Sequence, residues 1–336
     1  MGQGNDGGTT ITNVMGDVQD LFIERIEGDR YLFRDEWLPL VTHSEEIKVK
    51  GREAPVPLEV RETHHGPIVN EALGADDAEP LALAWQTLRE PTAFRGMFEL
   101  LDITSGAEYV KLIEGHTSPA SNVIWADRHG SIGYKLIGRL PLRRGGVADL
   151  PKPGWTGEFE WEGTVPYAEL PEVVDPESGY LVTDNNRIVG DSYPHHITSE
   201  WLDGFRAKRI EEMLAEREVH DLDGFAEMQM DVVSLPGLEA ARRLSRLHPP
   251  GQRERSAIER LRAWDGQLDV DTVGRCGALV TTDLELVLAG RQTLELEHAV
   301  ARGRIAAAPA ACTRWPADGA RPHIGALDDL TRERDL

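Results

Sequence analysis

The sequence predicts an α+β fold, strand-rich in its first half and helical in its second. Three observations predict it. Val56, Leu58 and Val60 alternate at the period of two that marks a strand with one buried face. Phe205, Ile210, Met213 and Leu214 recur at helical spacing. Strand patterns precede helix patterns instead of alternating with them, which argues against a parallel α/β sheet. Taken in order, residues 18–26 are apolar and β-branched. The turn signal Glu27-Gly28-Asp29 then leads into residues 30–34, which predicts a hairpin. Ile47 and Val49 pair with Val56–Val60 across a Gly51-to-Pro55 turn, predicting a second hairpin with one wet face. Residues 121–127 and 131–140 flank Arg128-His129-Gly130, predicting a third. Between them, Phe94, Met97, Phe98 and Leu101 fall on one helical face, as do Tyr109, Leu112 and Ile113. Residues 145–163 read as a long loop whose Trp155, Phe159 and Trp161 form a satellite core. Residues 180–183 read as a short strand running into Asp184-Asn185-Asn186, and residues 205–264 as a series of helices. The expected division is a β-rich part over 1–200, a helical region over 201–272 and an unassigned tail over 273–336.

Composition narrows the function. The chain has 336 residues, enough for two or three domains or one large one. Its 58 acidic against 36 basic residues give a net charge of −22. Such a surface repels phosphate backbones and anionic lipid, so neither nucleic acid nor a membrane is an expected partner. No apolar run reaches the roughly 18 residues of a membrane span. Met1 to Asp6 has neither a basic nor an apolar region, so no signal peptide is read there, and the compartment stays open. Cys276 and Cys312 suffice for neither a cysteine zinc site nor a disulfide framework.

Generic motifs are missing: there is no Gly-x-Ser-x-Gly elbow, phosphate loop or dinucleotide fingerprint. His64-His65 and His195-His196 are adjacent pairs. On a strand such neighbours face opposite sides, so they read as surface or structural histidines. Asp17 and Asp20 bracket a turn into a strand, and two carboxylates with a carbonyl between them suit Ca²⁺; a solvated turn is the plainer alternative. Asn185 follows a strand, where an Asn amide can donate to an oxyanion; ordinary turn chemistry is the plainer reading there.

The combination of motifs is more specific. Residues 11–25 (ITNVMGDVQDLFIER), Glu62 to Val69 (ETHHGPIV), Asn122 to Asp127 (NVIWAD), Gly138 to Arg143 (GRLPLR), Pro153 to Glu158 (PGWTGE), Gly179 to Arg187, Gly204 to Ala207 and Trp264-Asp265-Gly266 together resemble the β chain of the penicillin acylase family, in order and spacing, over roughly residues 9–272. The resemblance implies an N-terminal-nucleophile hydrolase with a four-layer αββα sandwich. It implies cleavage of amides such as acylated β-lactams or acyl-homoserine lactones through an acyl-enzyme. In that chemistry a serine exposed at a chain start is activated by its own α-amine.

Carried over residue by residue, the resemblance assigns the backbone N–H of Asn13 and the side-chain amide of Asn185 to the oxyanion hole. It assigns Arg206 to organising the nucleophile region. Asp17, the carbonyl of Gln19, Asp20 and the carbonyl of Pro151 become ligands of a structural Ca²⁺. That site is expected to be incomplete, because no acid stands near residues 195–198. No organic cofactor is implied. The family's serine falls before the matched region, and Met1 offers no acyl acceptor. The expectation is therefore a fragment that lacks its nucleophile and does not turn over alone: either a truncated or frame-disrupted gene product, or one piece of a split enzyme completed by a separate chain. The alternative is a non-catalytic ligand- or Ca²⁺-binding remnant.

Overall fold

Strand Ser121–Asp127 is apolar on both of its faces, and both are used. It lies in the middle of a five-stranded antiparallel sheet ordered Gly2–Gln3, Gly7–Asn13, Ser121–Asp127, Ile132–Ile137, Glu172–Val174. Because side chains alternate along a strand, Val123 and Trp125 join Tyr109, Ile113 and Ile137 on one face. Ile124 joins Tyr134, Leu136, Val14, Leu140, Val165, Leu170 and Ile197 on the other. Each fully buried aliphatic or aromatic side chain here contributes roughly 1.5–3 kcal/mol. The chain is described by a computed structural model over residues 2–3, 7–75, 77–90, 103–147, 149–248 and 251–268.

Around this sheet the chain builds smaller ones. Gln19–Ile23 pairs antiparallel with Leu81–Trp85 and parallel with Lys152–Pro153. Phe22, Ala82 and Ala84 are its buried centre, with Phe159 and Trp161 packed against them. Two of the three loop aromatics are therefore core, as expected. Trp155 instead lies under the Arg25 guanidinium at 4.0 Å.

The hairpin over residues 121–140 forms, with Gly130 at φ 91° in its turn. So does the one joining Val41–Ile47 to Val56–Glu62, but it has no dry face: Val41, Ile47 and Leu58 are all exposed. The pairing expected between residues 18–26 and 30–34 is corrected. Arg30–Phe33 pairs with Ile26–Glu27 and Glu36–Pro39, while Gln19–Ile23 goes to a distant strand. The Gly28 turn was read correctly; its reach was not. Residues 180–183 form no strand. The helix on Phe94 to Leu101 and the tail after residue 268 lie outside the described residues. Gly106–Leu112 is a helix, capped by the Ser105 side chain.

The chain divides into two units, Met1–Ala207 and Lys208–Leu336. Among the described residues the second is helical. Leu222–Gln229 starts on an Asp221 cap and Leu235–Leu244 on a Ser234 cap. Ala240, Ala241 and Leu244 of the latter helix are buried, as is Ile258 of Gln252–Ala263. No described helix is long and apolar enough to cross a membrane.

Candidate active site

Asn13 ends the strand Gly7–Asn13, opposite Ser121. Its side chain is spent locally, since Asn13 Oδ1 accepts from the Met15 N–H at 2.9 Å. What Asn13 offers to chemistry is thus its backbone. Its carbonyl accepts two amides, Asn185 Nδ2 at 2.7 Å and Asn122 Nδ2 at 3.3 Å. Asn122 is fully buried and is itself held by the Tyr134 hydroxyl at 2.8 Å. The end of this strand is therefore clamped on a rigid sheet.

Asn185 reaches Asn13 across 172 residues of chain. It does so with φ 61°, a left-handed conformation that Asn tolerates better than most residues. Arg206 fixes the amide plane: its Nη2 donates to Asn185 Oδ1 at 2.9 Å and to the Asp184 carbonyl at 2.9 Å. The same guanidinium pairs with the Asp184 carboxylate. With Oδ1 committed to Arg206, Nδ2 must face Asn13. One of its two hydrogens goes to the Asn13 carbonyl, and the other has no acceptor among the described residues. The structure thus brings Asn13, Asn185 and Arg206 together. Asp184 was not singled out from the sequence. Burial pushes its carboxyl above the ordinary value against the pull of Arg206, and its Oδ2 is buried without a partner. The signal available was its place beside Asn185.

The four calcium candidates fare differently. Asp20 is buried, and its carboxylate receives Arg143 Nε at 2.9 Å, Arg143 Nη2 at 2.9 Å and the Trp161 indole N–H at 2.5 Å. Asp17 lies 3.3 Å from Arg143 Nη2 and 3.0 Å from His196 Nε2, and its carbonyl takes Arg143 Nη2 at 2.7 Å. Gln19 is exposed at the start of its strand, and Pro151 is exposed one residue before the strand that pairs with Phe22. The donor set does not fit a calcium ion. A guanidinium already stands between the two carboxylates, and the residue facing Asp17 from the 195–198 stretch is an imidazole, not an acid. Arg143 was visible only as the last residue of the Gly138-to-Arg143 motif. A buried carboxylate such as Asp20 requires a cation beside it, and Arg143 is that cation.

A surface depression lies elsewhere, at the opposite end of the strand Gly7–Asn13, lined by Gly7, Gly8, Tyr109, Trp125 and Asp127 among others. Its two titratable lining residues are engaged locally: the Tyr109 hydroxyl accepts from Thr9, and the Asp127 carboxylate accepts from the Gly106, His129 and Ser131 N–H groups.

The penicillin amidase family model matches residues 1–331. The likeness thus runs past residue 272, where the motifs alone had ended it. The acyl-homoserine lactone acylase QuiP of Pseudomonas aeruginosa is 31% identical over 286 residues, covering 77% of this chain and 34% of that protein. The penicillin acylase 2 proenzyme of Pseudomonas sp. (strain SE83) is 30% identical over 268 residues, with the same two coverages of 77% and 34%. Among solved structures, the thermostable penicillin G acylase from Alcaligenes faecalis superposes with a TM-score of 0.66 at 21% identity, over 79% of this chain and 49% of that one, a likeness of fold. The chain spans about a third of the length of these curated relatives. On the near-complete family match, the chain belongs to the penicillin amidase family.

Proposed function

We propose that this chain forms the oxyanion-stabilising part of an N-terminal-nucleophile acylase with the αββα sandwich, hydrolysing acylated β-lactams or acyl-homoserine lactones. The attacking serine hydroxyl comes from a segment outside this sequence. The observation that carries the reading is the amide of Asn185, aimed by Arg206 and held 2.7 Å from the Asn13 backbone. As serine oxygen bonds to the amide carbon, its proton passes to the serine's own α-amine. The carbonyl oxygen becomes an oxyanion, which takes the Asn13 N–H and the free Asn185 hydrogen. Collapse breaks the C–N bond, the amine leaves with the proton, and water then hydrolyses the ester. Donors fixed before charge develops need no reorganisation, which is why each is worth so much.

Two further features support an external nucleophile. Ser121, opposite Asn13, donates its hydroxyl to the Pro119 carbonyl at 3.3 Å and has no basic partner among the described residues. The outer edge of the strand from Thr10 to Asn13 has no neighbouring strand among the described residues, since Gly2–Gln3 covers only Gly8 and Thr9. An unpaired edge of that kind accepts an added strand.

The test is hydrolysis of phenylacetyl and long-acyl chromogenic amides. Expected is no turnover by the chain alone, and turnover when it is co-expressed with the serine-bearing region of a relative. Turnover by the chain alone would remove the external nucleophile. A well-formed complex that still fails to hydrolyse any of them would remove the acylase reading.

A further inference from the structure

His64 and His65 do not sit on a strand. Thr63 and Gly66 exchange backbone hydrogen bonds at 3.0 and 3.2 Å, closing a tight turn in which Gly66 takes φ 143°. In that turn the two rings point the same way, with centroids 3.8 Å apart. The expectation that neighbouring histidines diverge is overturned because it assumed strand geometry.

Both rings meet Glu160. His65 Nε2 lies 3.2 Å from Glu160 Oε1, and His64 Nε2 lies 3.5 Å from Glu160 Oε2. One ligand atom from each of the three residues lies within 4.8 Å of the others. Behind them, His65 Nδ1 is 2.7 Å from Glu24 Oε1, which also accepts from the Thr63 hydroxyl at 2.8 Å. The Phe22 ring stacks on His65 at 3.8 Å and 5°, and Phe33 lies against His64 at 4.2 Å. The rings cannot swing away without breaking these contacts.

We propose that His64 Nε2, His65 Nε2 and the Glu160 carboxylate form a zinc site, oriented by Glu24 and completed by water. Four lines of geometry point to it. Zinc with ligands at about 2.0–2.1 Å has tetrahedral edges of about 3.3 Å, and each histidine Nε2 already stands at about that distance from one Glu160 oxygen, 3.2 Å to Oε1 for His65 and 3.5 Å to Oε2 for His64. A 3.5 Å contact lies beyond the usual hydrogen-bond range but suits two ligands of one ion. A carboxylate on the far ring nitrogen of a metal-bound histidine fixes the tautomer that leaves Nε2 bare, and Glu24 occupies that position. Finally, the side chains of Glu24 and His65 are 0% and 1% exposed, and Glu24 Oε2 has no partner among the described residues. With Glu24 on one ring nitrogen of His65 and Glu160 on the other, the cluster needs positive charge nearby, which a dication supplies. Nitrogen donors select zinc or a similar transition ion over Ca²⁺. His64 is 31% exposed, which leaves a solvent path for entry and for the water ligand. Such an ion would staple the Phe22 strand end, the Thr63–Gly66 turn and the Glu160 segment, apart from the Asn13–Asn185 cluster.

The test is calorimetric titration of the chelator-stripped full chain with zinc chloride, paired with cobalt(II) absorption spectroscopy. Expected is one equivalent bound, tetrahedral cobalt bands and a higher Tm with zinc. His64→Ala and Glu160→Gln, each checked for cooperative unfolding, should bind at least tenfold more weakly and lose the Tm response. Absence of saturable binding by the folded unsubstituted chain would overturn the site. So would binding unchanged in both variants.

Discussion

Asn185 carries three demands at once. Its backbone occupies the left-handed region, and its side chain must donate toward Asn13 and accept from Arg206. Asparagine meets all three; alanine meets none. Asn185→Asp separates the demands, because it keeps the shape and the bond from Arg206 but turns the donor into an acceptor. In the complemented enzyme Asn185→Asp should cost about 10²–10³ in kcat, the usual value of one oxyanion donor. Asn185→Ala should lose at least as much and also lower Tm, since alanine keeps the cost of the left-handed backbone but loses the side-chain bonds to Asn13 and Arg206 that hold it there. Kinetics and thermal melts on the two variants check this; a kcat for Asn185→Asp within tenfold of the parent would take Asn185 out of the oxyanion hole. The candidacy of Asn185 was legible in the sequence through its motif. Its aim was not, because the guanidinium that sets its amide plane lies 21 residues further along the chain.

At the scale of elements, the turn into Gln19–Ile23 shows how the same residues serve a different cation. Arg143 is 6% exposed and Asp20 2% exposed, so their pair is effectively buried. Breaking one partner of a buried pair typically costs about 3–5 kcal/mol, because the remaining charge is stranded. Arg143→Met should therefore lower stability by about that much, read from denaturant melts. Added Ca²⁺ should not move the Tm of the unsubstituted, chelator-stripped chain. A clear Tm rise with Ca²⁺ would show that the ion displaces the guanidinium. Arg143→Met plus Ca²⁺ is the informative comparison: recovery of stability there would mean that the two aspartates still form a cation site once the arginine is gone. The sequence displayed the Asp17–Asp20 pair plainly. The cation 123 residues from Asp20 was invisible to any local pattern.

Over the whole molecule the net charge of −22 acts on stability without touching the fold. Raising ionic strength from 0.01 M to about 0.15 M shortens the Debye length from about 30 Å to about 8 Å. Screening should relieve self-repulsion, so Tm should rise across that range. A Tm that falls instead would mean that attractive pairs such as Arg209–Asp231 and Lys135–Glu172 outweigh the repulsion. What the sequence determined by itself was the set of local structures: the alternation of residues 56–60, the turns at Gly28 and Gly130, the helical spacing after Phe205, and the ordered motifs that place the chain in its family. Periodicity encodes which side of an element is apolar, and that is a property of neighbours along the chain. Only the tertiary structure decided the partners: Gln19–Ile23 with Leu81–Trp85 and not with Arg30–Phe33, Arg143 on Asp20, and His64 beside His65 on Glu160. Each of those choices balances burial and charge between residues far apart in sequence, and that balance exists only once the chain is folded.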